Sequence, residues 1–136
     1  MPPAPDGGVF KNFILERTVT ELSSSLPGID VASALPRVAG NKKLYVKLLR
    51  HVAAESPSTK EKLAEAIAEG NADLVREIAH SLKGSSANLS ITEVAAAAEK
   101  LEHAAKAGDF SMLLAHLDTL ESALESFVGV VNTLED

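Results

Sequence analysis

The sequence predicts an all-α protein whose main part is an antiparallel, up-down-up-down four-helix bundle at about residues 58–134, with additional N-terminal helices. Three observations predict this class. Aromatic residues make up only 4% of the chain, so the core must consist of aliphatic side chains, which suit close-packed helices. Apolar residues recur at spacings of three and four, without the strict alternation typical of strands. The linkers between the last predicted helices are very short, which makes consecutive helices antiparallel neighbours.

The first 26 residues are expected to form a linker-like leader, and residues 27–136 a single domain. The chain starts with a stretch rich in proline and glycine that lacks the basic and apolar segments of a signal peptide. An amphipathic helix is predicted from about Val9 to Ser24, where apolar residues recur at helical spacing. Pro27-Gly28 then predicts a turn, and Asp30 is a good N-cap for a short helix through Leu35.

A longer helix is predicted from the cap residue Asn41 to about Ala54. Pro57 is expected to end this region, because a proline inside a helix removes a backbone hydrogen bond. The sequence Ser58-Thr59-Lys60-Glu61 has the form of a capping box. It predicts a new helix that Gly70 closes. The residues expected to face inward in that helix are Leu63, Ala64 and Ile67.

Three more helices follow. Asn71 predicts the start of a helix to about Leu89, and a second capping box, Ser90 to Glu93, predicts an alanine-rich helix through Ala107. Asp109 predicts the cap of the last helix, Phe110 to about Leu134. Apolar residues in that helix alternate at spacings of four and three, a mean period of about 3.5 that is typical of the seam of a left-handed bundle. These residues are Leu113, Leu117, Leu120, Leu124, Phe127, Val131 and Leu134.

Composition excludes several functions. The formal net charge is −6 and the basic residues are scattered, so we expect no nucleic-acid partner. No apolar run approaches the roughly 20 residues that span a bilayer, and we expect no direct membrane contact. The absence of cysteine excludes disulfides and zinc-thiolate sites. It is compatible with the reducing cytoplasm, where we expect the protein to act.

The helix predicted from Asn71 to Leu89 carries an unusual outward face. At about 100° per residue, its apolar residues form one stripe and His80 lies on the other side, with Lys83 and Gly84 about one turn further on. Glycine in an exposed helix interior costs about 1 kcal/mol relative to alanine, so packing does not explain it, whereas a partner that must come close to the helix does. The same face includes four residues of a possible docking surface: Asp73, Arg76, Glu77 and Ala87.

The residue types on this face suit phosphoryl transfer. A neutral imidazole is a nucleophile near pH 7. Lys83 is placed to offset the negative charge that a phosphoryl group would bring to His80. Because donor and acceptor must approach in line, the small Gly84 would leave the incoming protein room.

The stretch His80-Ser81-Leu82-Lys83-Gly84-Ser85-Ser86-Ala87-Asn88-Leu89 resembles the signature of histidine-containing phosphotransfer (HPt) domains, the phosphorelay carriers of two-component signalling. The resemblance covers about residues 27–134. Further segments that resemble the family are Leu26 to Asp30, Gly40-Asn41 with Leu44-Tyr45 and Leu48-Leu49, Gly70-Asn71, and Leu101 to Ala104 with Gly108. One difference is Ser90-Ile91, where the family commonly has Gly-Ala. We expect Ser90 to cap the next helix.

The resemblance implies a role for each matching residue. His80 would be the phosphoacceptor, Lys83 the cation that stabilises the phosphate, and Gly84 the small residue that admits a receiver domain. A receiver aspartate would deliver the phosphoryl group and a second receiver would remove it. The implied partners are therefore response-regulator receiver domains and a hybrid sensor histidine kinase. No cofactor is expected in this chain, since the Mg²⁺ would belong to the receiver, and no kinase activity is expected because no nucleotide-binding motif is found.

Two alternatives come from other classes. Glu77-Ile78-Ala79-His80 formally matches the E-x-x-H motif of di-iron bundle proteins, but the chain has no second match and both residues are predicted to face outward, so we expect no metal site. The second alternative is a helical adaptor that docks a signalling partner without phosphorylation. The remaining histidines are interpreted as having no special function: His51 lies at the end of a predicted helix, and His103 and His116 flank apolar faces without a motif near them.

Overall fold

The computed structural model describes residues 17–18 and 26–135. A short helix α1 (Val31–Ala34) leads into a 3₁₀ helix (Leu35–Val38). Four long helices follow, which are α2 (Lys42–Ala68), α3 (Ala72–Asn88), α4 (Thr92–Ala107) and α5 (Phe110–Val131). A two-residue strand β1 (Arg17–Thr18) pairs in parallel with β2 (Leu134–Glu135). The predicted all-α class is confirmed, with this short strand pair as an addition.

The four long helices form the predicted antiparallel bundle. Each packs against the helices before and after it in the chain, and α5 returns to pack against α2, so that the helices form a closed ring. The predicted seam of α5 is confirmed, because all seven of its residues are buried, although Leu134 lies in β2 beyond the helix. A core made mainly of aliphatic side chains, with Tyr45 and Phe127 among them, therefore runs through the bundle.

Four of the predicted helix starts are confirmed by their capping hydrogen bonds. The side chains of Asp30, Asn41, Asn71 and Asp109 each accept a hydrogen bond from the backbone N–H three residues later. Such a bond satisfies a donor that the helix itself leaves without a partner. The starts of α1, α2, α3 and α5 are thus fixed by local sequence.

The predicted helix break at Pro57 is wrong. Helix α2 continues through the proline from Lys42 to Ala68, so Ser58 to Glu61 lie inside a helix and do not form a capping box. An interior proline costs about 3 kcal/mol. The continuous buried stripe of α2 offsets this cost, since each large apolar side chain contributes about 1.5–3 kcal/mol when it is buried. The buried residues of this stripe are Tyr45, Val46, Leu49, Val52, Ser56, Leu63 and Ala66.

The bundle therefore begins at Lys42 rather than near residue 58, and one helix replaces the two that were predicted. The inward positions of the second half also differ from the prediction. Leu63 is buried as expected, but Ala66 is buried in place of Ala64, which is exposed.

The predicted cap at Ser90 is also wrong. Ser90 adopts a left-handed backbone conformation, with φ +57°, and the N-cap of α4 is Ile91, which makes no side-chain capping bond. The N–H groups of Ser90 and Ile91 bond back to the carbonyls of Ala87 and Ser86. This is the pattern that ends a helix with a left-handed residue, so Ser90 closes α3 instead of opening α4.

Hydrogen bonds connect this left-handed turn to the segment that precedes α2. The Ser90 hydroxyl lies 2.6 Å from that of Ser33 and accepts a hydrogen bond from Arg37, which also donates to the carbonyl of Asn88. The backbone N–H of Asp30 donates to the carbonyl of Ser90. The segment before α2 therefore covers the end of the bundle where α3 turns into α4.

The helix predicted over about residues 9–24 lies mostly outside the described residues. Arg17 and Thr18, the two that are described, form β1 and are extended rather than helical. Their pairing places this part of the leader beside the end of α5.

Candidate functional site

His80 lies on the solvent side of α3, as predicted. Its side chain is 63% exposed. The core side of the helix carries Val75, Ala79 and Leu82, which are buried, whereas Ile78 is only half-buried. The imidazole is therefore accessible to a molecule that approaches the bundle from outside.

A buried carboxylate on the neighbouring helix α4 holds this imidazole. Glu102 Oε2 lies 2.8 Å from His80 Nδ1, and Glu102 Oε1 lies 2.9 Å from the ammonium of Lys83. The Glu102 side chain is only 8% exposed, against 30% for Lys83. One carboxylate thus joins the two α3 residues that the sequence predicts to act together.

The charge state of Glu102 follows from these contacts. The hydrogen bond from Lys83 and, to a smaller extent, the one from His80 lower the pKa of Glu102 to about 2, although its burial acts in the opposite direction. The same carboxylate raises the pKa of Lys83. Glu102 is therefore ionised at neutral pH and Lys83 is a cation.

The ionised carboxylate fixes the tautomer of the neutral imidazole. A carboxylate only accepts hydrogen bonds, so His80 Nδ1 must carry the proton and donate it to Glu102 Oε2. The other ring nitrogen, Nε2, then holds the lone pair. The buried anion thus orients the imidazole, by the same logic by which an aspartate orients a catalytic histidine.

Sequence analysis did not assign Glu102 a role. It did note the segment from Leu101 to Ala104 as part of the resemblance, but it did not connect Glu102 with His80. A signal was present, since Glu102 continues a small-residue stripe of α4 at helical spacing, with Ala98 and Ala105 on either side. A charged residue on a buried stripe is rare unless it is paired, which points to a partner on another helix.

Gly84 lies in open space on α3. A Cβ atom built there would meet no other atom of the protein within 4 Å, so packing within the chain does not require glycine. The same is true of Gly129 on α5, and openness alone therefore does not mark a docking site. What distinguishes Gly84 is its place one turn from His80 on the same face.

The other residues of the predicted docking face are on the surface of α3, as expected. Asp73, Glu77 and Ala87 are exposed and Arg76 is half-buried. Because Glu77 and His80 both lie on the outer side of α3, they are not part of an inward-facing dinuclear metal site. Over residues 26–135 and the pair 17–18, no three or more histidine, aspartate or glutamate side chains are grouped so as to hold a metal ion.

A groove of about 450 Å³ runs along the α2 side of His80. Its lining includes the apolar side chains of Ile78 and Leu82 and several hydroxyl groups. The lining residues are Ala54, Glu55, Ser58, Thr59 and Lys62 of α2 and Ile78, Ser81, Leu82 and Ser85 of α3. A partner that reaches His80 would therefore meet a concave, mostly uncharged surface on this side.

The fold and the exposed histidine are features of helical phosphotransfer proteins. Residues 47–129 match the family model described as "Hpt domain". The chain belongs to this family, whose members carry phosphoryl groups in histidine phosphorelays and interact with receiver domains and kinases.

A solved structure supports the same fold. The chain is similar to histidine-containing phosphotransfer protein B (HptB) from Pseudomonas aeruginosa PAO1, with a TM-score of 0.71 and 24% sequence identity, over 79% of this chain and 94% of that one. A search of curated proteins gave no significant match. Within the part of the chain that the structure describes, no helix has the length and apolar character needed to cross a membrane.

Proposed function

We propose that the protein is a phosphorelay carrier in which His80 Nε2 accepts a phosphoryl group from a receiver-domain aspartate and passes it to the aspartate of another receiver. One observation supports this most strongly, the buried carboxylate of Glu102 that bonds both His80 and Lys83. It directs the lone pair of the imidazole toward solvent and places a cation beside it.

The transfer step needs only the imidazole and the aspartyl phosphate as reactants. The Nε2 lone pair attacks the phosphorus of the aspartyl phosphate, the N–P bond forms, and the bond from phosphorus to the aspartate oxygen breaks, which releases a carboxylate. The proton on Nδ1 stays in place, so the phosphorylated ring carries a positive charge. Glu102 stabilises that charge through its hydrogen bond to Nδ1.

Lys83 supplies the second electrostatic contribution. The phosphoryl group brings three oxygens with negative charge to the ring, and a nearby ammonium stabilises them. Because the same ammonium already pairs with Glu102 at 2.9 Å, it is held near the imidazole before the phosphoryl group arrives. The carrier itself needs no nucleotide site, and the Mg²⁺ that assists transfer would be held by the receiver.

The partners proposed are receiver domains of response regulators and of a hybrid sensor histidine kinase, in the cytoplasm. A receiver would approach over the outer face of α3, which carries His80 together with Gly84, Ala87 and the exposed acidic residues Asp73 and Glu77. Arg76, which is half-buried, lies on the same face.

The test is phosphoryl transfer to the purified protein from a panel of receiver domains of the same organism, each labelled with radioactive phosphate by its kinase. We expect a label that is labile in acid and stable in alkali, as a phosphoramidate is. The label should disappear in His80→Gln and persist in His103→Gln, a matched control on the exposed surface of α4. Label retained in His80→Gln would place the acceptor elsewhere, and receiver binding without any labelling would favour the adaptor function.

A further inference from the structure

The charged residues of helix α2 are segregated along its length. Its first half, residues 42–54, carries four lysine and arginine residues and no aspartate or glutamate. Its second half, up to the C-cap Glu69, carries four glutamates and only two lysines. This order is the reverse of the one that the helix dipole favours, which is acidic side chains at the N-terminus and basic ones at the C-terminus. The stability of the helix itself therefore does not explain the pattern.

Six of these side chains share one outer face of α2. At about 100° per residue, they fall within about 80° of one another, and all six are exposed. Ala54 and Ser58 lie between the basic and the acidic half of this face and are exposed as well. We call this surface the α2 face. Its charged residues are Lys43, Lys47, His51, Glu61, Glu65 and Glu69.

The α2 face is largely without ionic partners in its own chain. Over residues 17–18 and 26–135, no ion pair engages five of the six charged side chains, and His51 pairs only with Glu55 one turn further on, at 3.5 Å. The two lysines of the acidic half lie beside the face, since Lys60 pairs with Glu125 of α5 and Lys62 lines the groove toward α3. The face therefore presents a basic half and an acidic half to solvent.

The two halves are related by symmetry about Ser56. Lys43 and Glu69 each lie 13 residues from it, Lys47 and Glu65 nine, and His51 and Glu61 five. When two copies of α2 lie antiparallel with their Ser56 residues level, each basic residue is level with an acidic residue of the other copy. A surface that pairs with itself in this way suits a two-fold symmetric interface.

We propose that the α2 face binds the same face of a second copy of this chain and forms an antiparallel, two-fold symmetric dimer. Lys47 and Glu65 point in the same direction, along the middle of the face, so their contact is central and occurs twice. The small residues Ala54 and Ser58 lie close to the symmetry axis and let the two helices approach. Each basic helix N-terminus lies against an acidic C-terminus of the other copy, which offsets the unfavourable position of both charges relative to their own helix dipole.

The dimer leaves the phosphotransfer site free. His80 is on α3 and is held on the side of α4, where Nδ1 bonds Glu102, whereas the α2 face belongs to a different helix. The interface would be about 40 Å long and one helix wide, which places it among the small interfaces of reversible complexes. The proposal does not depend on phosphotransfer, so association and transfer can fail independently of each other.

Sedimentation velocity of the full chain tests the association. The weight-average sedimentation coefficient should rise from the monomer value toward the dimer value between about 10 µM and about 1 mM protein, the range of a weak complex. The dimer fraction should fall when the salt concentration is raised from about 0.05 M to about 0.5 M, because salt screens exposed charges. A chain that stays monomeric at all these concentrations, or a dimer that salt does not weaken, would overturn the proposal.

Charge reversal tests the register. Lys47→Glu should weaken the dimer at least about tenfold, because it places two acidic residues level with each other, and Glu65→Lys should do the same. The double variant Lys47→Glu/Glu65→Lys has the net charge of the natural chain and restores opposite charges at this level, so its dimerisation constant should return to within about threefold of the natural value. Lys106→Glu, an equal change of charge at an exposed position of α4, is the matched control and should leave association unchanged.

Circular dichroism of each variant checks that the helices are intact. Weakening by Lys106→Glu as large as that by Lys47→Glu would show that only net charge matters. A double variant that stays as weak as the single ones would show that Lys47 and Glu65 do not meet across the two-fold axis. Either result would overturn the proposed interface.

Discussion

Glu102 on α4 and His80 on α3 are 22 residues apart in the chain, and their side chains meet at 2.8 Å. The carboxylate is buried and the imidazole is exposed, so the orienting group is protected from solvent while the ring that it orients is accessible. Packing of α3 against α4 sets this geometry, since the two residues come from different helices.

Removal of the Glu102 carboxylate should slow phosphoryl transfer. A hydrogen bond to a charged group contributes about 1.5–3 kcal/mol, so Glu102→Ala should lower the transfer rate by roughly tenfold to a hundredfold. Glu102→Gln should have a smaller effect, because the amide oxygen still accepts from Nδ1. The transfer rate is measured from reactions quenched at successive times and separated by gel electrophoresis. Nitrogen NMR of the His80 ring reports whether the Nδ1–H tautomer is lost. A normal rate with a mixed tautomer in Glu102→Ala would show that the orientation of the ring does not matter for transfer.

The low pKa of Glu102 predicts a dependence of stability on pH. Its pKa is about 2 in the folded protein and about 4.3 in an unfolded chain. The ionised carboxyl therefore contributes stability above about pH 4.3, and this contribution is lost as the pH falls toward 2. The groups that face it are Lys83 and His80, with Glu99 near the lysine.

Urea unfolding of the natural chain and of Glu102→Gln measures this contribution. The difference in free energy of unfolding between the two should shrink as the pH falls from 4.5 to 2, because a protonated carboxyl resembles an amide. A difference that does not change over that acidic range would mean that the carboxylate is not stabilised by its contacts with Lys83 and His80.

Bulk at residue 84 should hinder the partner without unfolding the domain. Gly84→Leu adds a side chain one turn from His80 in space that the protein itself leaves open, so the transfer rate should fall at least tenfold while the circular dichroism spectrum is unchanged. Gly129→Leu is the matched control, because that glycine is equally open but lies on α5. Equal transfer rates in the two variants would remove the explanation offered for Gly84.

The role proposed for Lys83 can be tested separately from that of Glu102. Lys83→Ala removes the cation and should slow transfer and shorten the lifetime of the phosphorylated state, since the ammonium would no longer help to offset the charge of the phosphoryl group. Lys83→Arg keeps the charge and should restore much of the activity. Measurement of label retention over time separates the lifetime from the transfer rate. If the alanine and arginine variants lose activity equally, the shape of Lys83 rather than its charge is what matters.

Features fixed by neighbouring residues were predictable from the sequence. The caps at Asn41, Asn71 and Asp109 and the seam of α5 depend on spacings of three and four residues, and the structure confirms them. The exposed position of His80 follows from the same periodicity. Because residues close together in the chain determine these features, a single sequence is enough to predict them.

Features that depend on distant contacts were missed. To predict the contact between Glu102 and His80, one must know how far α4 is shifted along α3. No local sequence pattern gives this shift. The left-handed backbone of Ser90 is supported by Ser33, which lies 57 residues away in the chain. The continuity of α2 through Pro57 depends on the burial of residues on both sides of it against the other helices, and this packing outweighs the local preference for a break.

The proline in α2 leads to a last prediction. Pro57 is exposed and lies inside a helix, so it removes the hydrogen bond to the carbonyl of Ala53 without filling space in the core. Pro57→Ala should restore that bond and raise the free energy of unfolding by about 1–3 kcal/mol, which urea denaturation would measure. Ser58→Ala, the neighbouring exposed position, is the control and should change stability by less than about 0.5 kcal/mol. If Pro57→Ala were destabilising, the proline would be required for a bend that lets both halves of α2 follow the bundle, and the straight helix would fit the core less well.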